Sequence, residues 1–140
     1  KAGLNTVEKI IKETIKHKIK FLTLYAFSTE NWRRPKKEIN YLFNLLEIFL
    51  LKRIEDLHKQ NIKLKIIGIK NFSTKLNRLL KLSEKKTAKN TRLHINLAIN
   101  YGSKFEIINA FRILSKKKIK LTKKILSNTY KLKMFLIQIY

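Results

Sequence analysis

Eight consecutive residues, Ser28 to Pro35 (STENWRRP), gather two hydroxyls, a carboxylate, an amide, an indole and two guanidiniums. Guanidinium forks match phosphate oxygens bidentately, and hydroxyls and backbone N–H groups add hydrogen bonds to an anion at the start of a helix. The indole of Trp32 offers a flat apolar wall for a hydrocarbon or a base. The segment therefore suits a phosphorylated ligand with an apolar body. The same composition describes a surface loop with a capping carboxylate, and composition alone leaves both readings open.

Other chemistries are excluded by what the 140 residues contain. There is no Cys, so no disulfide, thiolate ligand or thiol nucleophile. Asp56 is the only Asp, and with three His and nine scattered acids an all-protein divalent-metal cage is not expected. Three glycines, Gly3, Gly68 and Gly102, cannot form a dinucleotide or Walker loop. The net charge of +24 favours an anionic partner. Yet Lys far outnumbers Arg, and Ile and Asn are abundant, which is the joint mark of A+T-rich coding and supplies solvated lysines without any partner. No apolar run approaches the ~18 residues of a membrane-spanning helix, and no signal peptide is visible. The chain reads as cytoplasmic, with a peripheral contact to anionic lipid left open.

The elements that must position the segment are given by periodicity. Val7, Ile10, Ile11 and Ile15 put one apolar face on a helix over residues 5–18, with Asn5 or Thr6 as its cap. Phe21 to Phe27 is a short apolar run that reads as a strand buried on both faces. Pro35 suits the first turn of a long helix ending near Gln60, with Ile39, Leu42, Phe43, Leu46, Phe49, Leu50 and Leu57 on a broad apolar face. Ile62 to Gly68 alternates as a second strand, Phe72 to Lys86 is helical, and Leu93 to Ile99 is a third strand. Past Gly102, the residues Phe105, Ile108, Phe111 and Ile113 start another helix. Helices alternating with strands imply an α/β fold with parallel strands and right-handed crossovers. Ligands of open α/β sheets bind beyond the carboxyl ends of the strands, where Ser28–Pro35 and Asn100–Lys104 both lie. Lys116 to Lys124 reads as a solvated turn leading to a short helix, and Met134 to Tyr140 as an apolar terminal run.

The run from Leu22 to Pro35, LTLYAFSTENWRRP, resembles the signature of the cis-prenyltransferases, the undecaprenyl diphosphate synthase family. Other blocks agree in order. Lys1-Ala-Gly3 resembles the residues after the family's Gly-His pair, Ile66-Ile-Gly68 its second-strand ending, and Ala98-Ile-Asn-Tyr-Gly102 its A-x-N-Y-G block. The resemblance covers residues 1 to about 115. It implies an open, mostly parallel sheet with flanking helices, truncated here at both ends. It also implies condensation of isopentenyl diphosphate onto an allylic diphosphate such as farnesyl diphosphate, with Mg²⁺, to make a polyprenyl diphosphate lipid carrier for cell-wall precursors. By matching positions, Asn31 is the implied catalytic relay, although a neutral amide is a poor base and orienting substrate is the better chemistry for it. Ser28, Thr29, Glu30 and Trp32 would line the substrate site, and Arg34 would clamp the allylic diphosphate. Arg33 falls at a variable position of the motif. Ala26, Leu42, Leu46, Leu50 and Leu93 match the wall or floor of the hydrocarbon tunnel, whereas periodicity alone makes Leu42, Leu46 and Leu50 ordinary core.

Two blocks of the family are not in this sequence. The first is the N-terminal M-D-G-N-G-R-W strand and loop, whose Asp binds Mg²⁺. The second is the C-terminal P-D-P-D-L-L-I-R-T-x-G-E-x-R block, which holds isopentenyl diphosphate and a second metal carboxylate. The metal ligands are thus expected outside this chain, which starts at Lys1 and is expected to begin inside its gene. The family's Y-G-G-R stands here as Tyr101-Gly102-Ser103-Lys104. Read from the third base of the Lys131 codon, with permitted codons, the terminus becomes T-K-N-V-P-D-P-D-(I/L), which resembles the missing block and suggests a frameshift. Residues 1–115 then form the central part of a single domain and 116–140 a Lys-rich tail. The chain alone is expected to have negligible transferase activity, and the full-length protein to be an active homodimer at the inner face of the membrane. Two rival readings stay open: a basic nucleic-acid-binding module, disfavoured because lysines are spread over every helix, and a non-catalytic partner subunit of a complete transferase.

Overall fold

The computed structural model describes residues 2–116 together with Lys118, Lys120 and Thr122. The elements run α1 (Ala2–Lys16), β1 (Phe21–Ser28), a short 3-10 helix (Thr29–Arg33), α2 (Lys36–Lys59), β2 (Ile62–Ile67), α3 (Thr74–Thr87), β3 (Leu93–Tyr101) and α4 (Ser103–Lys116). The terminal run Met134–Tyr140 and the expected frameshift lie outside the described residues. The backbone divides into two compact units, Lys1–Asn100 and Tyr101–Tyr140.

In the first unit β3 is the centre of the sheet, between β1 and β2. β2 pairs with β3 in parallel, from Ile62 opposite Leu93 to Ile67 opposite Ala98. The alternating helices and strands thus produce the open, mostly parallel sheet with flanking helices that the sequence implies. Ile62, Leu64 and Ile66 from β2, Leu93, Ile95, Leu97 and Ile99 from β3, and Leu50 and Leu57 from α2 form a buried core, against which Val7 and Ile15 of α1 pack.

The helix ends are set by local chemistry. α1 ends at Lys16, and beyond it Lys18, with a left-handed φ of 56°, lets the Ile19 N–H reach the Thr14 carbonyl at 3.0 Å and the Lys18 N–H reach that of Ile15 at 3.0 Å. α1 begins at Ala2, so Asn5 and Thr6 sit within it rather than capping it. Beyond α2, Asn61 turns left-handed, and its side-chain oxygen accepts from the Thr91 N–H at 2.9 Å. Ser73 caps α3 by accepting from the Leu76 N–H at 3.2 Å.

Two expectations are corrected. β1 is a sheet-edge strand in which only Phe27 is fully buried and Tyr25 is 62% exposed, not a strand buried on both faces. Its aromatic and apolar residues register strand preference, which does not distinguish an edge from a centre. The doubly buried strand is β3, which buries all of its residues but His94. In the second unit, the residues that mark α4 in sequence, Phe105, Ile108, Phe111 and Ile113, are exposed, while Glu106, Ala110 and Leu114 are buried.

α3 closes the outer edge of β2. The backbone N–H groups of Leu64 and Ile66, pointing away from β3, donate to Thr87 Oγ1 at 3.0 Å and Glu84 Oε1 at 2.9 Å. The second oxygen of Glu84 holds Lys70 at 2.5 Å. Ion pairs between Glu47 and Lys75 (2.5 Å) and between Glu55 and Lys86 fasten α3 to α2, and Lys86 holds the Glu55 carboxyl below its usual range.

Candidate functional site

At the carboxyl end of β1, Ser28 leads into the 3-10 helix that carries Thr29, Glu30, Asn31 and Trp32. The turn is held locally, because the Asn31 Oδ1 accepts from the backbone N–H of Ser28 at 2.8 Å. The Arg34 N–H closes it on the Asn31 carbonyl at 3.1 Å, and Pro35 then starts α2 at its N-cap. Thus Ser28, Thr29, Glu30, Asn31, Trp32 and Arg34 are brought together. Arg34 is exposed and paired with Glu38 in the first turn of α2, Nη1 to Oε1 at 2.8 Å.

Behind the turn lies a cavity of about 370 Å³ whose walls are almost wholly apolar. Ala26, Leu42 and Leu46 line it, as do Phe27, Phe43 and Leu97. Leu50 and Leu93, at 1% and 0% exposure, are core residues and are not among its wall residues. Neighbouring residues on one helix separate here: Leu46 looks into the cavity, while Leu50, one turn on, is packed in the core.

Trp32 joins the polar turn to the apolar cavity. Its ring stands edge-on to Phe27 at 5.3 Å and to Phe43 at 5.6 Å, and both of these also line the cavity. Phe43 continues the aromatic series to Phe72, at 5.2 Å. The indole N–H donates to Asn100 Oδ1 at 2.7 Å. Phe27, Phe43 and the side chain of Asn100 are not marked as site residues by the sequence. Phe27 sits inside the Leu22–Pro35 motif and Phe43 one residue from Leu42, so adjacency is the available signal.

Among the described residues, no three His, Asp or Glu side chains gather where they could hold a metal ion. No helix among the described residues is long and apolar enough to cross a membrane.

The chain that carries this arrangement, a polar turn with a cation and an indole beside an apolar chamber, has relatives. The Prenyltransf family, undecaprenyl diphosphate synthase, matches residues 1–138. The chain is 44% identical over 117 residues to the ditrans,polycis-undecaprenyl-diphosphate synthase ((2E,6E)-farnesyl-diphosphate specific) of Wigglesworthia glossinidia brevipalpis, covering 83% of this chain and 45% of that one. It is equally 44% identical over 117 residues to an isoprenyl transferase of Clostridium tetani, covering 83% and 46%. The crystal structure of a probable undecaprenyl diphosphate synthase from Campylobacter jejuni superposes with a TM-score of 0.83 at 37% identity, over 92% of this chain and 63% of that one. Lavandulyl diphosphate synthase from Lavandula x intermedia, in complex with dimethylallyl diphosphate, superposes with a TM-score of 0.86 at 25% identity, over 94% and 60%. The chain spans about half the length of the curated relatives it matches. On its motifs, its sheet and these matches together, the chain belongs to the undecaprenyl diphosphate synthase family of prenyltransferases.

Proposed function

We propose that this chain carries the allylic-substrate side of a cis-prenyltransferase, which condenses isopentenyl diphosphate with a farnesyl diphosphate-like allylic diphosphate to build a polyprenyl diphosphate carrier. The observation that supports this most is the shared aromatic wall: Phe27 and Phe43 line the apolar cavity and also pack on Trp32 of the polar turn. A ligand with a hydrocarbon tail and an anionic head would place the tail in a chamber within the ~300–1,000 Å³ range of small-ligand sites. Its head would meet Ser28, Thr29 and the Arg34 guanidinium, a bidentate phosphate donor once it leaves Glu38.

Asn31 fits an orienting role. Its oxygen is taken by the Ser28 N–H, so the amide presents Nδ2 as a donor to an anion. Glu30 is the only carboxylate on the turn, and the described residues supply no Mg²⁺ donor set, so no step through the metal is assigned to them. The family's Mg²⁺, its homodimer and its place in the cytoplasm at the inner membrane face belong to this reading of the full-length protein. So does the division into a central segment, residues 1–115, and a Lys-rich tail, residues 116–140.

Trp32 is the only tryptophan, so its fluorescence reports ligand directly. Saturable quenching by farnesyl thiodiphosphate, not reproduced by inorganic diphosphate, is the expected result; no saturable response overturns the reading. For the tail, the nucleotide sequence should continue in the shifted frame into L-I-R-T-x-G-E.

A further inference from the structure

We infer that Asn100 is a positioning residue for Trp32, holding the indole against Phe27 and Phe43 of the cavity wall, in the orientation that an allylic substrate meets. The inference rests on the proposed function for its ligand and on geometry for the rest.

Trp32 is 45% exposed, so burial alone does not hold its ring. The single N–H of the indole is anchored by the 2.7 Å bond from Nε1 to Asn100 Oδ1. Asn100 is 5% exposed and is itself fixed from both sides by a single residue, Ile69. Its Nδ2 donates to the Ile69 carbonyl at 3.1 Å, and its own carbonyl accepts from the Ile69 N–H at 3.2 Å. With the amide nitrogen engaged, the acceptor Oδ1 is aimed before any ligand arrives. The backbone at Asn100 is left-handed, φ 50°, a conformation that Asn and Gly tolerate better than other residues.

The close approach that allows this is made at Gly68, φ 117°. A Cβ there would stand 2.1 Å from the Ile99 carbonyl and 3.0 Å from that of Asn100. The ends of β1, β2 and β3 are therefore tied through one buried amide, with Gly68 setting the spacing and Trp32 at the far end. Fixing an aromatic wall in advance spares a ligand the cost of ordering it.

The test uses Asn100→Gly, which keeps the left-handed backbone accessible and removes only the side chain. Circular dichroism should show the same secondary structure. In the absence of ligand, Trp32 emission should shift to the red and its anisotropy should fall. Farnesyl thiodiphosphate, measured by calorimetry, should bind roughly 10–100-fold more weakly, the scale expected of a misplaced binding group. Trp32→Phe keeps a ring without the donor, so adding Asn100→Gly to it should weaken binding little further. Asn100→Asp restores an acceptor and should recover part of the emission. Unchanged Trp32 emission and anisotropy in Asn100→Gly, or additive losses in the double variant, overturn the assignment. A wild-type chain that shows no farnesyl thiodiphosphate binding, while its emission still depends on Asn100, overturns the proposed ligand and leaves the Asn100–Trp32 coupling standing.

Discussion

The amide oxygen of Asn31 lies 2.8 Å from the backbone nitrogen of Ser28 and accepts its hydrogen. The residue that family resemblance assigns to catalysis is thus also the brace of its own turn. Asn31→Asp keeps an acceptor for Ser28 but loses the Nδ2 donor. It should melt within a degree or two of wild type and bind farnesyl thiodiphosphate about tenfold more weakly, since a donor to a charged group is worth ~1.5–3 kcal/mol. Asn31→Ala loses both bonds and should also cost about 1 kcal/mol of stability. Paired melting curves and titrations separate the two effects; equal affinities for Asp and wild type would remove the donor role.

Arg34 and Glu38 form an exposed i,i+4 pair, which is worth only ~0.3–0.5 kcal/mol. Arg34→Ala should therefore leave the melting temperature nearly unchanged while costing about tenfold or more in affinity for a diphosphate ligand. Glu38→Gln frees the guanidinium and should tighten binding. Arg34→Lys should not restore it, because an ammonium lacks the bidentate fork. Calorimetry across the three variants checks the order.

Leu46 and Leu50 sit one turn apart, on a cavity wall and in the core respectively. Leu50→Ala should cost ~2–5 kcal/mol, the range for emptying a filled site. Leu46→Ala faces space that already exists and should cost distinctly less. Ala26→Leu would push three more carbons into the chamber and should weaken farnesyl thiodiphosphate binding while the chain stays folded. Urea denaturation beside a binding isotherm distinguishes these outcomes.

Gly68→Ala should destabilise by at least about 2 kcal/mol, because the added methyl meets the Ile99 carbonyl at 2.1 Å on a left-handed backbone. Chemical denaturation measures it; a near-neutral result would mean that the β2 and β3 ends can separate freely.

His94 is held below the ordinary histidine range, first by burial and then by the charges of Lys63 and Lys20. Its ring stands edge-on to Phe21 at 4.9 Å. A histidine whose folded pKa is depressed stabilises fully above its unfolded value, about 6.5, and that stability is lost as pH falls from there toward the lower folded value. The difference in stability between wild type and His94→Gln should shrink as pH drops from 7 to 5. A difference independent of pH would contradict the shift.

The features legible in sequence divide by distance along the chain. The alternation of Ile62 to Ile67 and the apolar spacing of α3 are local, and the strand and helix appear within a residue or two of where residue pattern puts them. The polar turn is legible as a motif, and its 3-10 coil is braced just as locally, by the bond from the Ser28 N–H to Asn31 Oδ1. Leu46 and Leu50 are equivalent to any helical period and are separated only by tertiary packing. The contact of Trp32 with Asn100 joins residues 68 positions apart, through a turn whose spacing depends on Gly68, and no local pattern announces it.

The Thr87 and Glu84 side chains that take the outward N–H groups of β2 act as a surrogate strand made of helix. A sheet border whose N–H groups are taken in this way is a poorer template for another chain to add to, so β2 is shielded against templated polymerisation. Substituting Thr87 and Glu84 together would return those N–H groups to any strand that docks along β2.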